Sequence, residues 1–186
     1  MTLSEAIDLI RPATGAPAGT WADFGAGRGL FSRALLRLLG DGGRVIAVDR
    51  DPEAVRALAR QAGPDAGRLS ASVGDFRDLG RIDALDGVHL DGALFANALH
   101  FIREPAVVLA RLSERLRPGA RVVVIEYERG TANRWVPHPL PPALLRTVAE
   151  RAGYGPPRVV ARRPSAYQGE MYCAVMSWPP EAPESR

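Results

Sequence analysis

The sequence predicts a doubly wound α/β fold: a mostly parallel, seven-stranded sheet with helices on both faces and its last strand antiparallel. Three observations predict it. Short apolar runs alternate with amphipathic stretches of helical period. The links between them are brief, which favours right-handed crossovers onto a parallel sheet. The rhythm breaks only at the end, where the polar loop 163–170 separates two strand-like runs. So short a link cannot make a parallel crossover, and the last two strands should be antiparallel neighbours.

The elements follow in order. Residues 3–10 read as a short amphipathic helix with Leu3, Ile7 and Ile10 on one side, ended by Pro12 and the Gly/Pro/Thr run to Thr20. Strand 21–24 leads through a glycine turn into helix 30–39. Strand 44–48 leads to helix 52–62, for which Asp51 and Pro52 are favoured cap and first-turn residues. Strand 69–73 precedes a weaker helical stretch around 82–85. Strand 90–95 leads to helix 105–116, closed by Pro118-Gly119. Strand 121–126 (RVVVIE) is the most continuous apolar run and reads as a central strand buried on both faces. Helix 140–152 and strands 158–162 and 171–178 complete the series.

A chain of 186 residues suits one domain with a substantial core. The expected division is a short helix and linker over 1–18, a single domain over 19–178 and a frayed tail over 179–186. No stretch reaches the roughly 20 apolar residues of a membrane span, and the N-terminus lacks the pattern of a signal peptide. One cysteine, Cys173, makes no internal disulfide and no cysteine-built zinc site, and three scattered histidines suggest no metal. A cytoplasmic setting follows. The pI near 9.6 invites a nucleic-acid partner. The charge pattern argues against it: net charge is +3, and the 24 basic residues, all arginine, are interleaved with acids rather than gathered in a stripe.

The sharpest motif is Asp23-Phe24-Gly25-Ala26-Gly27-Arg28-Gly29, where a strand becomes a helix. Its glycines let the backbone turn tightly and meet a ligand without an intervening side chain. A dinucleotide fingerprint would put its third glycine at position 30, where Leu30 stands. Asp23 at the strand end would repel a pyrophosphate and suits an ammonium group. Asp49 ends the second strand, where acids accept from ribose hydroxyls. Asp51 is the better cap for the next helix, which leaves Asp49 for the ribose and Arg50 to lie on an adenine face. Gly74-Asp75-Phe76 follows the third strand; Asp75 is placed to accept from an adenine amino group while Phe76 packs on the ring.

In order and spacing, DFGAGRG, VIAVDRD, GDFRD, LDGALFANALHF and LRPGARVVVIEY resemble the motifs of class I S-adenosylmethionine-dependent methyltransferases, over about residues 20–178. Within that family the chain is most similar to small-molecule enzymes of the ubiquinone/menaquinone-biosynthesis type. The resemblance implies a Rossmann-like fold, S-adenosylmethionine as donor and S-adenosylhomocysteine as product. It also implies that Asp23, Gly25, Ala26, Gly27 and Gly29 hold the methionine end, Asp49 and Arg50 the nucleoside, Asp75 and Phe76 the adenine. Asn97 would line the sulfonium region.

Methyl transfer from a sulfonium is an in-line displacement, so positioning the acceptor does most of the work. A base is needed only where the acceptor must lose a proton early. His100, after the fourth strand, is the best-placed candidate, although a histidine there could instead cap the turn. Glu126 and Tyr127 end the fifth strand at the same rim. His138 sits in a loop that either folds over the pocket or, with four prolines in 137–142, acts as a rigid connector. The N-terminal extension and the insertion after the fifth strand are short. Either the acceptor is small, or a second subunit in a homodimer or a protein partner completes the site. The Asn/Asp-Pro-Pro-aromatic signature of nucleic-acid-base amino methylation is absent, Phe95-Ala-Asn-Ala standing in its place. Two rival readings are a non-catalytic S-adenosylmethionine-binding module and an NAD-binding protein; Leu30 and Asp23 count against the latter.

Overall fold

The computed structural model describes residues 1–15, 18–165 and 169–180. Of the expected frayed tail, residues 181–186 lie outside the described ones. The sheet has seven strands: β1 (Gly19–Phe24), β2 (Gly43–Asp49), β3 (Leu69–Val73), β4 (Leu90–Ala96), β5 (Leu116–Tyr127), β6 (Arg158–Pro164) and β7 (Glu170–Trp178). Their order is β3-β2-β1-β4-β5-β7-β6. Neighbours from β3 to β5 are parallel, and β7 runs antiparallel to both β5 and β6. This is the predicted sheet with its last strand reversed.

The helices are α1 (Leu3–Thr14), α2 (Leu30–Leu39), α3 (Pro52–Gln61), α4 (Pro105–Ser113) and α5 (Pro142–Arg151). Leu9, Ile10 and Ala13 of α1 join Leu35 and Leu39 of α2 and Leu58 of α3 in one apolar layer. Leu109 and Leu112 of α4 and Leu145 and Val148 of α5 build the layer on the opposite face. Because β1, β2, β4 and the 120–126 part of β5 are covered on both sides, most of their residues are apolar and buried.

Three local expectations are corrected. Helix α1 does not stop before Pro12 but runs to Thr14. Pro12 sits in its last turn, where the missing N–H costs one intrahelical bond, and burial of Leu9, Ile10 and Ala13 outweighs that loss. The stretch around 82–85 is a pair of 3₁₀ turns, Leu79–Arg81 and Asp83–Leu85, rather than a helix. Helix α4 ends at Ser113 instead of continuing to 116. Leu116 already pairs with Leu90, and the chain then bulges through Pro118-Gly119 before Arg121 meets Gly92. The RPG segment is thus part of an irregular strand, because the sheet recruits Leu116 as soon as its side chain can be buried.

Strand order reverses between β1 and β4, so their carboxyl ends splay apart around a crevice. The segments that follow β1, β2, β4 and β5 all emerge at this rim. Every sequence-predicted site residue lies at the end of one of these strands, on the segment that follows it, or after β3.

Candidate functional site

The glycine turn after β1 is held by its neighbour strand. Gly25 and Ala26 both donate their N–H to the Val48 carbonyl, at 2.8 and 3.0 Å. Gly25 has φ +77, and a Cβ there would stand 2.8 Å from that of Ala98, so only glycine allows the turn to approach the chain after β4. Gly27 has φ +54 with open space where its Cβ would be. Gly29 has a different role. A Cβ on it would lie 2.1 Å from the Leu58 side chain, so it lets α2 start hard against α3. Helix α2 begins there without a capping side chain, while α3 is capped by Asp51, which accepts from the Glu53 N–H.

Asp23 is buried beneath this turn. Its Oδ2 accepts from the Ser32 hydroxyl at 2.6 Å, and its Oδ1 has no partner. Burial pushes its pKa up to about 7, the Ser32 hydrogen bond opposes the rise, and the nearby Asp49 adds to it. Asn97, after β4, carries the other orphan: its buried side-chain Oδ1 is likewise unpartnered. These are the two such side-chain atoms among the described residues. Asn97 has φ +52, and its N–H donates to the Ile125 carbonyl at 2.8 Å.

Asp49 is not left free by Asp51, as the sequence suggests. Its Oδ2 accepts from the Gly27 N–H at 2.7 Å and its Oδ1 from the Asp51 N–H at 2.9 Å. The carboxylate therefore ties the glycine turn to the start of α3, and further hydrogen bonds must use its remaining lone pairs. Asp75 is also engaged. The Arg77 guanidinium binds both its oxygens and holds it below the usual carboxylate range, with Arg50 adding a weaker pull. Phe76 packs edge-on to Phe95, with ring centroids 5.5 Å apart, and lies beside Gly25. Arg50 is exposed.

A second constellation lies beyond Asn97. His100 sits on a 3₁₀ turn (Leu99–Phe101) and is 2% exposed. Its Nδ1 stands 2.6 Å from Glu126 Oε2, and its backbone N–H donates to Glu126 Oε1 at 3.1 Å. Glu126 is itself buried at the end of β5. With the carboxylate occupying Nδ1, Nε2 is the ring nitrogen left for anything else. The imidazole borders an open cleft of about 1030 Å³, lined also by Asn97, Phe101 and Tyr127 and by Glu128, Arg129 and residues 133–136 of the segment after β5. The loop after β5 thus supplies a wall through Trp135 and Val136. His138 is exposed and outside that lining; its N–H fixes the loop by donating to the His100 carbonyl at 3.0 Å.

The rim therefore ties Gly25 and Gly27 to β2 through Val48 and Asp49, seats Asp23 beneath them against Ser32, and sets His100, Asn97 and Tyr127 around the cleft. It leaves Asp75 and Arg50 at the exposed margin. Sequence reasoning missed Ser32, Phe101 and the pairing of His100 with Glu126. Both polar partners had a signal: Ser32 interrupts the apolar face of α2, and Glu126 ends a run buried on both faces, where a charge needs a partner.

A family model described as Methyltransferase domain matches residues 22–122, more than half of the chain. Ribosomal RNA small subunit methyltransferase H of Paracidovorax citrulli (strain AAC00-1) is 49% identical over 59 residues, 31% of this chain and 19% of that relative. The chain spans less than a third of the length of the curated relatives it matches. In fold it resembles the 1,6-didemethyltoxoflavin-N1-methyltransferase of Burkholderia thailandensis, solved with its bound namesake and S-adenosylhomocysteine. That match has a TM-score of 0.72 at 24% identity over 94% of this chain and 76% of that one. It also resembles the S-adenosylhomocysteine-bound methyltransferase of calicheamicin biosynthesis, with a TM-score of 0.68 at 25% identity over 94% and 53% of the two chains. The chain belongs to the methyltransferase-domain family.

Proposed function

We propose that this member of the methyltransferase-domain family is an S-adenosylmethionine-dependent enzyme that methylates a heteroatom of a small-molecule acceptor. One observation carries the reading: the buried, unpartnered oxygens of Asp23 and Asn97 beside a glycine turn that no other residue type could form. Burying acceptors without donors is costly, and an α-ammonium group supplies donors and no acceptors. The uncapped start of α2 suits the carboxylate of the same amino-acid end. A diphosphate would instead bring anions against Asp23 and Asp49, which disfavours NAD.

When bound, the donor supplies a methyl group already activated on a sulfonium. The chain's own residues then have three tasks. Asp23, Ser32, Gly27 and Asp49 fix the donor's ends. Phe101, Tyr127 and Val136 exclude water and hold the acceptor in line. His100, oriented through Nδ1 by Glu126, takes the acceptor's proton on Nε2. The acceptor heteroatom gains the methyl carbon, and the electron pair of the broken C–S bond stays on sulfur. Tyr127 borders the imidazole, with ring centroids 6.0 Å apart, and serves as a wall rather than as the base. Because residues of this chain line the cleft beside His100, the reading needs no second subunit.

The curated ribosomal RNA enzymes share less than half of this chain, and their acceptor is not carried over with that segment. No described helix is long and apolar enough to cross a membrane, and the lone Cys173 is buried, consistent with a cytoplasmic setting. Titration calorimetry with S-adenosylhomocysteine and NAD is the test. Binding of S-adenosylhomocysteine that weakens at least about tenfold in Asp23→Asn is expected for a lost charge-assisted contact. Preference for NAD overturns the reading.

A further inference from the structure

Resting on that reading, we propose that the cleft beside His100 selects planar aromatic acceptors that carry an acidic group, such as a hydroxyl-bearing aromatic carboxylate. The argument starts from side chains that nothing else in the fold explains. Phe101 and Trp135 are 51% and 64% exposed, and both line one cleft. Large apolar side chains left in water along one cleft mark a binding surface rather than a core. The Phe101 ring centroid lies 4.3 Å from that of the His100 imidazole, and the Tyr127 ring centroid 6.0 Å from it, both tilted. A flat ring slid between these faces gains stacking area and presents its edge to Nε2.

Charge supplies the second half. The cleft is bordered by two acids and two arginines, and they are not equivalent. Glu128 and Glu170 both face Arg162, a residue of β6 outside the lining. Arg129 and Arg134 have no acidic partner among the described residues: Arg129 donates through Nε to the Thr131 carbonyl, and Arg134 lies over the Trp135 ring at 4.7 Å. A guanidinium held against an aromatic face beside an apolar slot is placed for a carboxylate on a planar ligand. The acids on the same rim disfavour a running phosphate backbone, which needs an unbroken cationic path. The volume, about 1030 Å³ and open, suits a fused-ring metabolite more than a single short-chain acid.

The test is calorimetry on the full chain saturated with S-adenosylhomocysteine, repeated without it. Four probes are compared: 3-hydroxy-2-naphthoate, the neutral 2-naphthol, the non-planar cyclohexanecarboxylate and adenosine 5′-monophosphate. The hydroxynaphthoate should bind about tenfold or more tighter than each of the others, as one charge-assisted contact plus one stacked ring implies. Arg134→Gln and Arg129→Gln should erase its advantage over 2-naphthol, and Trp135→Leu its advantage over cyclohexanecarboxylate. Arg134 and Trp135 are exposed and Arg129 is half-buried, all three outside the glycine turn, so S-adenosylhomocysteine affinity should stay unchanged. Equal binding of all four probes overturns the proposal, and tighter binding of the nucleotide replaces it with a nucleic-acid acceptor. Failure of S-adenosylhomocysteine to bind instead sinks the methyltransferase reading, while the probe series without it still decides the cleft's preference.

Discussion

The β1–β2 side of the rim and the β4–β5 side are built on opposite plans. On the first, backbone does the work: Gly25, Ala26 and Gly27 donate to Val48 and Asp49 across adjacent parallel strands, and the key carboxylate is sealed beneath them. On the second, side chains from separate segments meet around an open cleft, and of those named there only His100, Glu126 and Val136 are buried. A rigid backbone cradle suits a ligand that never changes. A cleft made of exposed aromatics and arginines suits one that differs from enzyme to enzyme.

The contrast predicts that the two halves fail separately. His100→Gln should slow methyl transfer by about 10²–10⁴-fold, the range for a lost general base, while leaving S-adenosylhomocysteine affinity unchanged. Initial rates with the best acceptor from a metabolite panel, set beside calorimetry, check this. A parallel fall in affinity would show that the halves are one unit. Gly25→Val should do the reverse. With φ +77 and Ala98 in the path of its Cβ, the variant should lose about 1–3 kcal/mol of stability and bind S-adenosylhomocysteine poorly. Thermal melts and titrations read both effects, and probe binding in the cleft should persist.

Asp49→Ala should weaken nucleoside binding by about 1–3 kcal/mol, because it removes a charged acceptor and frees the Gly27 and Asp51 N–H groups. Unchanged affinity would remove Asp49 from the site. Asp23 gives the first half a pH signature. The fold keeps its carboxyl protonated up to about pH 7, whereas in the unfolded chain the group releases its proton at its ordinary value of 3.8. Folding takes up a proton between those values, so the free chain should lose stability as pH rises from about 4 to 7 and level off above it. Binding of an ammonium-bearing ligand needs the ionised form, so affinity for S-adenosylhomocysteine should rise about tenfold from pH 6 to pH 8. Asp23→Asn should flatten both profiles. Asp75→Ala should matter least, changing affinity within about twofold, because its exposed carboxylate already pairs with Arg77. A large loss there would move the adenine contact back onto Asp75.

The sequence alone determined the strand–helix alternation, the reversed final strand, the glycine turn and the acids at the strand ends. These are short-range matters. Strand and helix period, turn sterics and cap chemistry are set between residues a few positions apart, so the chain displays them directly. Tertiary structure decided what those acids do. Asp49 meets Gly27 because β2 lies beside β1, and His100 meets Glu126 across 26 residues because β4 and β5 pair in one register. It also carried α1 through Pro12 and drew Leu116 into β5, since burying a side chain outweighed the local signal to stop. Partner choice for a polar group depends on which strands become neighbours, and no local pattern encodes that.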